Sequence, residues 1–471
     1  MSNYRWTICT LLFFATTINY LDRQVLSLTW KDFLVPEFHW TNSDYGTVTA
    51  FFSIVYAITM LFAGKLIDYF DTKKGFLWAI GIWSVGACLH ALCGIATAGF
   101  IRAEWLLSFA KAKTIIAAVS NTAQVASVSV WLFVMARTVL AIGEAGNFPA
   151  AVKATAEYFP KRIRAFATSI FNAGTAVGAL MATLSIPFIA SAYGWEITFV
   201  IIGALGFIWM FFWNNFYKKP HLNSKVNQQE LAYIQQDETS DNKETVVAEI
   251  KKLSLLKAFS YKQTWAICIA KFLTDGVWFF FLFWAPAYIS SVFHLKSTQS
   301  APQLLVVYLL TLLSIFGGWL PTWFITKKKM NPYDGRMKAM FIFAFIPLLT
   351  FFAQPLATYS IWLPVIIIGI ACAGHQSWSA NVYTIAGDLF PKSAVATIIG
   401  IGGMAGGLSS FIINKGSGVL FDYAQKTNMK FMGFTGIEAG YFIVFIFCAF
   451  AYLIAWFIMK TLLPEYKPVE Y

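Results

Sequence analysis

Asp22 and Arg23 stand side by side in "INYLDRQVLS", inside a segment from Trp6 to Trp30 that is otherwise largely fit for hydrocarbon. An ionisable group held in a membrane interior costs roughly 2.5 to 3.5 kcal/mol on insertion scales, so the pair needs a chemical reason. Counted along a helix at ~1.5 Å per residue, Asp22 lies about 24 Å from Trp6, too deep for an easy reach to water. The guanidinium stays charged and requires an anion, whereas Asp22 can supply one or become neutral by taking a proton. Asn19 and Tyr20, at i−4 and i−3, share Arg23's face and make it polar enough to line a cavity. A second constellation is Arg137 and Glu144 in "ARTVLAIGEAGNFPAA". Seven residues on a helix place them ~10 Å apart and only ~20° different in direction. Desolvation and a nearby guanidinium pull a carboxyl in opposite directions, which suits a proton switch; the alternative is a permanent pair that ties helices together. A third set is His375, Trp378 and Asn381, at i, i+3 and i+6. An aromatic face with an amide beside it suits a sugar, whose ring stacks and whose hydroxyls need partners. The histidine by itself reads as a hydrogen-bonding residue at least as well as a proton carrier. "AKFLTDGVWFFFLFW" adds Lys271, Asp275 and Trp278, with Lys271 and Asp275 at i and i+4, so that they either pair with each other or face a ligand.

The elements that carry these residues follow from composition. Of 471 residues 58% are apolar and 12% charged, a balance that excludes an ordinary water-soluble globular chain. Apolar windows of roughly 20 residues, enough to cross ~30 Å of hydrocarbon as helices, recur about twelve times. The first continues past signal-peptide length without a small-residue cleavage site and is expected to remain as a helix. The formal charge of +12 does not call for a nucleic acid. With the N-terminus placed inside, about 23 of the Lys and Arg fall in inner loops, about 7 in outer ones and about 5 (Arg23, Lys65, Arg137, Lys271, Lys415) in or at the ends of spans, as the positive-inside rule requires. Both termini are therefore expected in the cytoplasm. The six cysteines lie within spans without ligand spacing, so neither a disulfide nor a metal site is expected.

The longest polar stretch, 214–262, divides the spans six and six and reads as a cytoplasmic linker with short surface helices such as "QQELAYIQQ". This gives an N-terminal half at 1–213 and a C-terminal half at 263–471. The halves repeat each other: "GKLIDYFDTKK" from Gly64 matches "GWLPTWFITKK" from Gly318, and "EYFPK" from Glu157 matches "DLFPK" from Asp388. The second register sets Glu144 opposite His375. The unequal offsets mark extra residues in the first half, visible at about 97–129 as an Ala-, Ser- and Thr-rich insertion, expected outside as a short helix or hairpin. In the first repeated loop, Asp68 is suited to meet a neighbouring helix N-terminus or an arginine when the inner gate shuts. Gly64 belongs to the same pattern, and Lys73 and Lys74 hold the loop in the cytoplasm or serve only to set topology.

Twelve helices in two parallel six-helix halves is the architecture of the major facilitator transporters. The stretches "NYLDRQ", "RTVLAIGEAGNFPAAVKATAEYFP", "FNAG", "KFLTDGVWFFFLFW" and "GHQSWSAN…DLFPKSAVATIIGIGGMAGG" together resemble the anion:cation symporter family of that superfamily, most of all its bacterial hexuronate transporters. The resemblance runs along nearly the whole chain and departs from it at the outer insertion. It implies an all-α integral membrane protein of the bacterial inner membrane, a monomer that imports a monoanionic sugar acid with protons and needs no cofactor. Arg23 would be the ligand for the substrate carboxylate, Asp22 and Glu144 the protonation sites, and Arg137 the charge that Glu144 answers to. Tyr20, Tyr56, Asn172, Thr175, Trp378 and Asn381 would surround the sugar. An importer of aldonates such as galactonate, or of another organic anion, shares the same carboxylate logic. A channel or sensor on a transporter scaffold would lack uphill accumulation. No nucleophile elbow, nucleotide loop or metal cluster supports an enzyme, and "GIGGMAGG" reads as close helix packing.

Overall fold

The structure, a computed structural model, describes residues 2–105, 107–236 and 254–469, with the side chain of Asp68 and those of eleven other residues outside the described set. Much of the expected linker, 237–253, also lies outside it. Among the described residues, eleven helices are long and apolar enough to cross a membrane: Asn42–Ile67 (α2), Tyr69–Arg102 (α3), Thr122–Tyr158 (α4), Ala167–Tyr193 (α5), Trp195–Phe216 (α6), Lys262–Phe293 (α7), Ser297–Lys327 (α8), Pro332–Ala357 (α9), Trp362–Leu389 (α10), Thr397–Lys426 (α11) and Ile437–Leu462 (α12). Tyr4–Thr29 (α1), 26 residues long, packs among them against α5, α6 and α7. Its buried Thr16, Thr17, Asn19, Asp22, Arg23 and Gln24 lower its apolar character. Those polar groups are tolerated because they face protein and not lipid. A π-helical turn, Trp30–Leu34, extends α1, and Asp71, at φ 68°, kinks the helix in the first turn of α3.

Small residues let the helices close. An added Cβ on Gly86 would stand 2.4 Å from the Leu140 nitrogen, and one on Gly143 would stand 2.3 Å from the Trp83 nitrogen, so α3 and α4 touch backbone to backbone. Gly174 and Gly178 do the same for α5 against α1, where a Cβ on Gly178 would meet the Thr17 carbonyl at 2.4 Å and Tyr20 Cβ at 2.9 Å. Gly143→Val forces α3 and α4 apart beside Glu144. Overpacking of this kind costs about 1–3 kcal/mol or more, and a lowered melting temperature of the purified protein in detergent is the expected result.

The two faces of the bundle differ. On one, Gln228–Ile234 of the linker forms a short helix whose Glu230 takes Arg5 at 3.0 Å and the backbone N–H groups of Tyr4 and Arg5. The opposite face carries the insertion, within which Phe109–Ala117 forms a short helix. Its Lys113 reaches Glu196 at 2.9 Å and Glu37 at 3.8 Å, and Trp195 donates its indole N–H to Glu37 at 2.8 Å. Burial pushes the Glu37 carboxyl up to about 7 despite those donors.

Hydrogen bonds between α1–α6 and α7–α12, among the described residues, lie toward the insertion face. Asp422 of α11 accepts from the Asn42 and Ser43 backbone nitrogens at 2.9 and 2.7 Å, so a carboxylate from one half caps the first turn of α2 in the other. Lys415 donates to Ser43 Oγ at 2.8 Å and Thr47 Oγ1 at 2.7 Å. Asp32 takes the Ser297 N–H at 2.6 Å and Tyr45 donates to the Phe283 carbonyl at 2.7 Å. Deeper, Ser53 meets Ser410 at 2.8 Å and Gln24 donates to Tyr308 at 2.9 Å. The two halves are thus bonded to each other on the insertion side.

Candidate substrate and coupling site

Arg23 lies 2% exposed between three rings, with its guanidinium carbon 4.8 Å from the centre of Tyr20, 5.3 Å from Phe52 and 4.9 Å from Tyr56. Phe52 and Tyr56 are one turn apart on α2, so the two rings share a face and close the cage from that side. Nε and Nη2 of Arg23 both donate to Glu144 Oε2, at 2.9 and 2.6 Å. The other carboxylate oxygen, Oε1, is buried without a partner among the described residues.

This pairing corrects one expectation. Glu144 makes its direct ion pair with Arg23, while Arg137 stays within electrostatic reach of it. Seven residues of helix separate Arg137 and Glu144 by about 10 Å, and each meets a different part of Arg23, Glu144 its side chain and Arg137 its backbone carbonyl. Arg137 donates through Nη2 to the backbone carbonyl of Arg23 at 3.1 Å and lies over Phe52 at 5.2 Å, while its Nε and Nη1 have no partner among the described residues. Asp22 does not supply Arg23's anion either. Neighbouring side chains on a helix point ~100° apart, and Asp22 lies within electrostatic reach of Glu144, Arg137, Arg23 and Cys88 without bonding any of them. Both its carboxylate oxygens are buried and lack a donor among the described residues. A single cluster thus holds two arginines and two carboxyls with one direct ion pair.

The C-terminal half brings a second ion pair. Lys271 meets Asp275 at 2.7 Å, one turn apart on α7, which answers the question of pairing left by the sequence. Lys271 also donates to the Tyr383 hydroxyl at 3.0 Å. Trp278, half-buried, stacks on His375 with ring centres 5.2 Å apart and 11° between planes, and His375 Nδ1 meets the Tyr452 hydroxyl at 2.7 Å. Trp378 and Asn381 do not continue that surface. Trp378 is fully buried, edge-on to Tyr452 at 5.6 Å. Asn381 donates to the Gly317 carbonyl of α8 at 3.0 Å. Three residues of α-helix fall about 60° short of a turn, so the stripe rotates away from the cleft within two steps. On α5, Asn172 is exposed and Thr175 half-buried, beside the Gly174 and Gly178 contacts that seat this helix on α1.

Near the end of α2, a Cβ on Gly64 would meet nothing within 4 Å. Lys73 donates to the Asn214 carbonyl at 2.6 Å, Lys74 is exposed, and Asp71 pairs with Lys219 at 3.3 Å. These contacts hold the loop to its own half. The Asp68 side chain lies outside the described residues.

Sequence reasoning did not single out Phe52 or Tyr383. Phe52 carries the weak signal of standing four residues before Tyr56; Tyr383 carries none that separates it from other aromatics in α10. A cavity of about 710 Å³ at the insertion face, lined in part by His39, Trp131, Lys415, Asp422 and Lys426, shares no residue with the Arg23 cluster.

Helices long and apolar enough to cross a membrane, two bundles bonded to each other on the insertion side, and a cluster of charges buried among them fit a membrane transporter. The chain matches the model of the Major Facilitator Superfamily over residues 12–414 and belongs to that family; it is not an enzyme. It is 26% identical to the hexuronate transporter of Escherichia coli K12 over 424 residues, which cover 89% of this chain and 88% of that one. It is 25% identical to the galacturonate transporter of Dickeya chrysanthemi over 329 residues, 69% of this chain and 84% of the relative. Among solved structures, a bacterial homolog of the human lysosomal transporter Spinster, inward-facing and unoccupied, superposes with a TM-score of 0.68 at 16% identity, both chains covered fully. The xylose transporter XylE of E. coli in a partially occluded inward-open state gives 0.65 at 16% identity, covering 97% and 98%. These likenesses carry the fold.

Proposed function

We propose that the protein is a proton-coupled symporter that imports a monoanionic sugar acid, a hexuronate such as glucuronate or galacturonate, by alternating access across a bacterial inner membrane, with both termini and the linker in the cytoplasm. The observation that carries this reading is the Arg23–Glu144 pair. Arg23 is the buried guanidinium that a carboxylate cargo needs, and an internal carboxylate already occupies it through both Nε and Nη2. Cargo and Glu144 compete for the same donors, and protonation of Glu144 decides the contest. A neutral Glu144 releases the fork; the substrate carboxylate takes it bidentately, with Tyr20 and Tyr56 as walls. When the cleft opens to the cytoplasm the proton leaves, Glu144 reclaims Arg23, and the anion is expelled. The direct Arg23–Glu144 pair fits the last of these steps.

Asp22 supplies the second coupling group. As an anion it compensates Arg137, and as a neutral acid it leaves Arg137 to add positive potential at the cargo site. With two protons per monoanion each cycle moves one net charge, to which 100 mV contributes about 2.3 kcal/mol; with one proton the cycle is electroneutral. Asp22→Asn is expected to abolish pH-driven accumulation, and wild-type accumulation in that variant would remove Asp22 from coupling. Uptake of labelled uronate into proteoliposomes, with pH gradient and voltage set separately and aldonates as competitors, tests the whole reading. Uphill accumulation driven by a pH gradient alone is expected; equilibration without accumulation would assign a channel instead.

A further inference from the structure

We propose that the Lys271–Asp275 pair is the specificity element for the end of the cargo remote from Arg23, an ion pair that receives neutral hydroxyls and refuses a second carboxylate. The inference rests on the reading that Arg23 holds the sugar-acid carboxylate.

Three observations place the pair in the same cleft and give it this character. Lys271 bonds Tyr383 through the hydroxyl at 3.0 Å and lies 4.4 Å from the ring centre. Tyr383 is within electrostatic reach of Tyr20 and Tyr56, the rings that cage Arg23 from the other half. Second, the pair is internally neutral and pinned: Nζ and Oδ2 stand 2.7 Å apart, and a Cβ on Gly406 of α11 would come within 2.2 Å of that same oxygen, so α11 presses on the carboxylate. Third, Oδ1 of Asp275 is buried without a donor among the described residues. The ionisable groups facing the pair are His375 and Tyr383 on α10 and Tyr452 on α12. From α11, Gly406 and Ser409 pack beside it at Asp275 and Gly276.

An unused carboxylate oxygen beside an ammonium and a phenol presents an acceptor next to donors, which matches the vicinal hydroxyls of a sugar. A second carboxylate arriving there meets Asp275 as a like charge and finds Lys271 already compensated. The positive charge that would attract a dicarboxylate is present in the chain and cancelled one helical turn away.

Galacturonate and galactarate, which differ in whether carbon 1 is a neutral aldehyde or hemiacetal or a carboxylate, provide the test. In proteoliposomes of the full-length protein, each competes as the unlabelled ligand against labelled galacturonate uptake. The wild type is expected to favour galacturonate. Asp275→Asn leaves Lys271 uncompensated and is expected to move the ratio of inhibition constants toward galactarate by about tenfold or more. The double variant Lys271→Gln/Asp275→Asn, neutral again, is expected to return the ratio toward wild type. Where Asp275→Asn does not transport, the same ratio is read from competitive binding to the purified protein in detergent. A ratio unchanged in Asp275→Asn, or shifted equally in the double variant, overturns the proposal. Failure of the underlying reading looks different: wild-type uptake of galacturonate would then be absent, or indifferent to Arg23.

Discussion

Arg23→Ala is expected to abolish uronate binding and uptake. The substitution removes the cation that cargo requires and strands Glu144, whose only direct partner among the described residues is that guanidinium. Removing one member of a buried ion pair typically costs 3–5 kcal/mol, so affinity should fall by roughly 10² to 10³-fold or more, and accumulation should reach background. Arg23→Lys keeps the charge but not the fork. An ammonium cannot offer two parallel N–H donors from Nε and Nη2 positions, so partial binding with poor transport is the expected intermediate. The same cost bears on folding, and thermal melting of each variant separates lost binding from a lost fold. Normal uronate affinity in a folded Arg23→Ala protein would move the carboxylate site elsewhere.

Glu144→Gln is expected to separate binding from coupling. Glutamine keeps the size and one carbonyl acceptor for Arg23 but is permanently neutral, so the guanidinium is always free for cargo. Uronate binding should be retained or tightened, because the competitor is gone. Net uptake driven by a pH gradient should fall by at least about tenfold, since cargo is no longer displaced on the cytoplasmic side. Exchange of internal for external uronate should survive, because it does not require the empty carrier to return. Loss of exchange together with uptake would make Glu144 a binding or packing residue and not a switch.

Much of this was legible in the chain. The twelve helical segments followed from apolar periodicity, and the insertion helix from the unequal spacing of the repeats. Charges in hydrocarbon marked Asp22, Arg23, Arg137 and Glu144 as candidates, because nothing but function or pairing repays their cost, and the fold gathers the four around Arg23. The partners within that set were not legible. Spacing along α4 relates Arg137 to Glu144, but which of them meets Arg23 depends on where α1 sits, and α1 is seated on α5 by Gly174 and Gly178 through backbone contact. The α10 stripe failed for a related reason. An i, i+3, i+6 pattern describes one face only over a short length; by Asn381 the helix has turned toward the Gly317 carbonyl of α8. The Asp422 cap on α2 joins residues 380 positions apart and leaves no local signal at all.

The competition at Arg23 is tested most directly by measuring uronate affinity against pH, by calorimetry on the purified protein, in the wild type and in E144Q. If cargo binds only when Glu144 has taken a proton, then above the pH at which the free carrier's Glu144 is ionised, affinity falls as pH rises, by about tenfold per unit for each linked proton. The slope in E144Q is expected to be lower by one proton, leaving only what Asp22 contributes. Equal slopes in the two proteins, or a wild-type affinity independent of pH, would contradict the exchange of Glu144 for the cargo carboxylate.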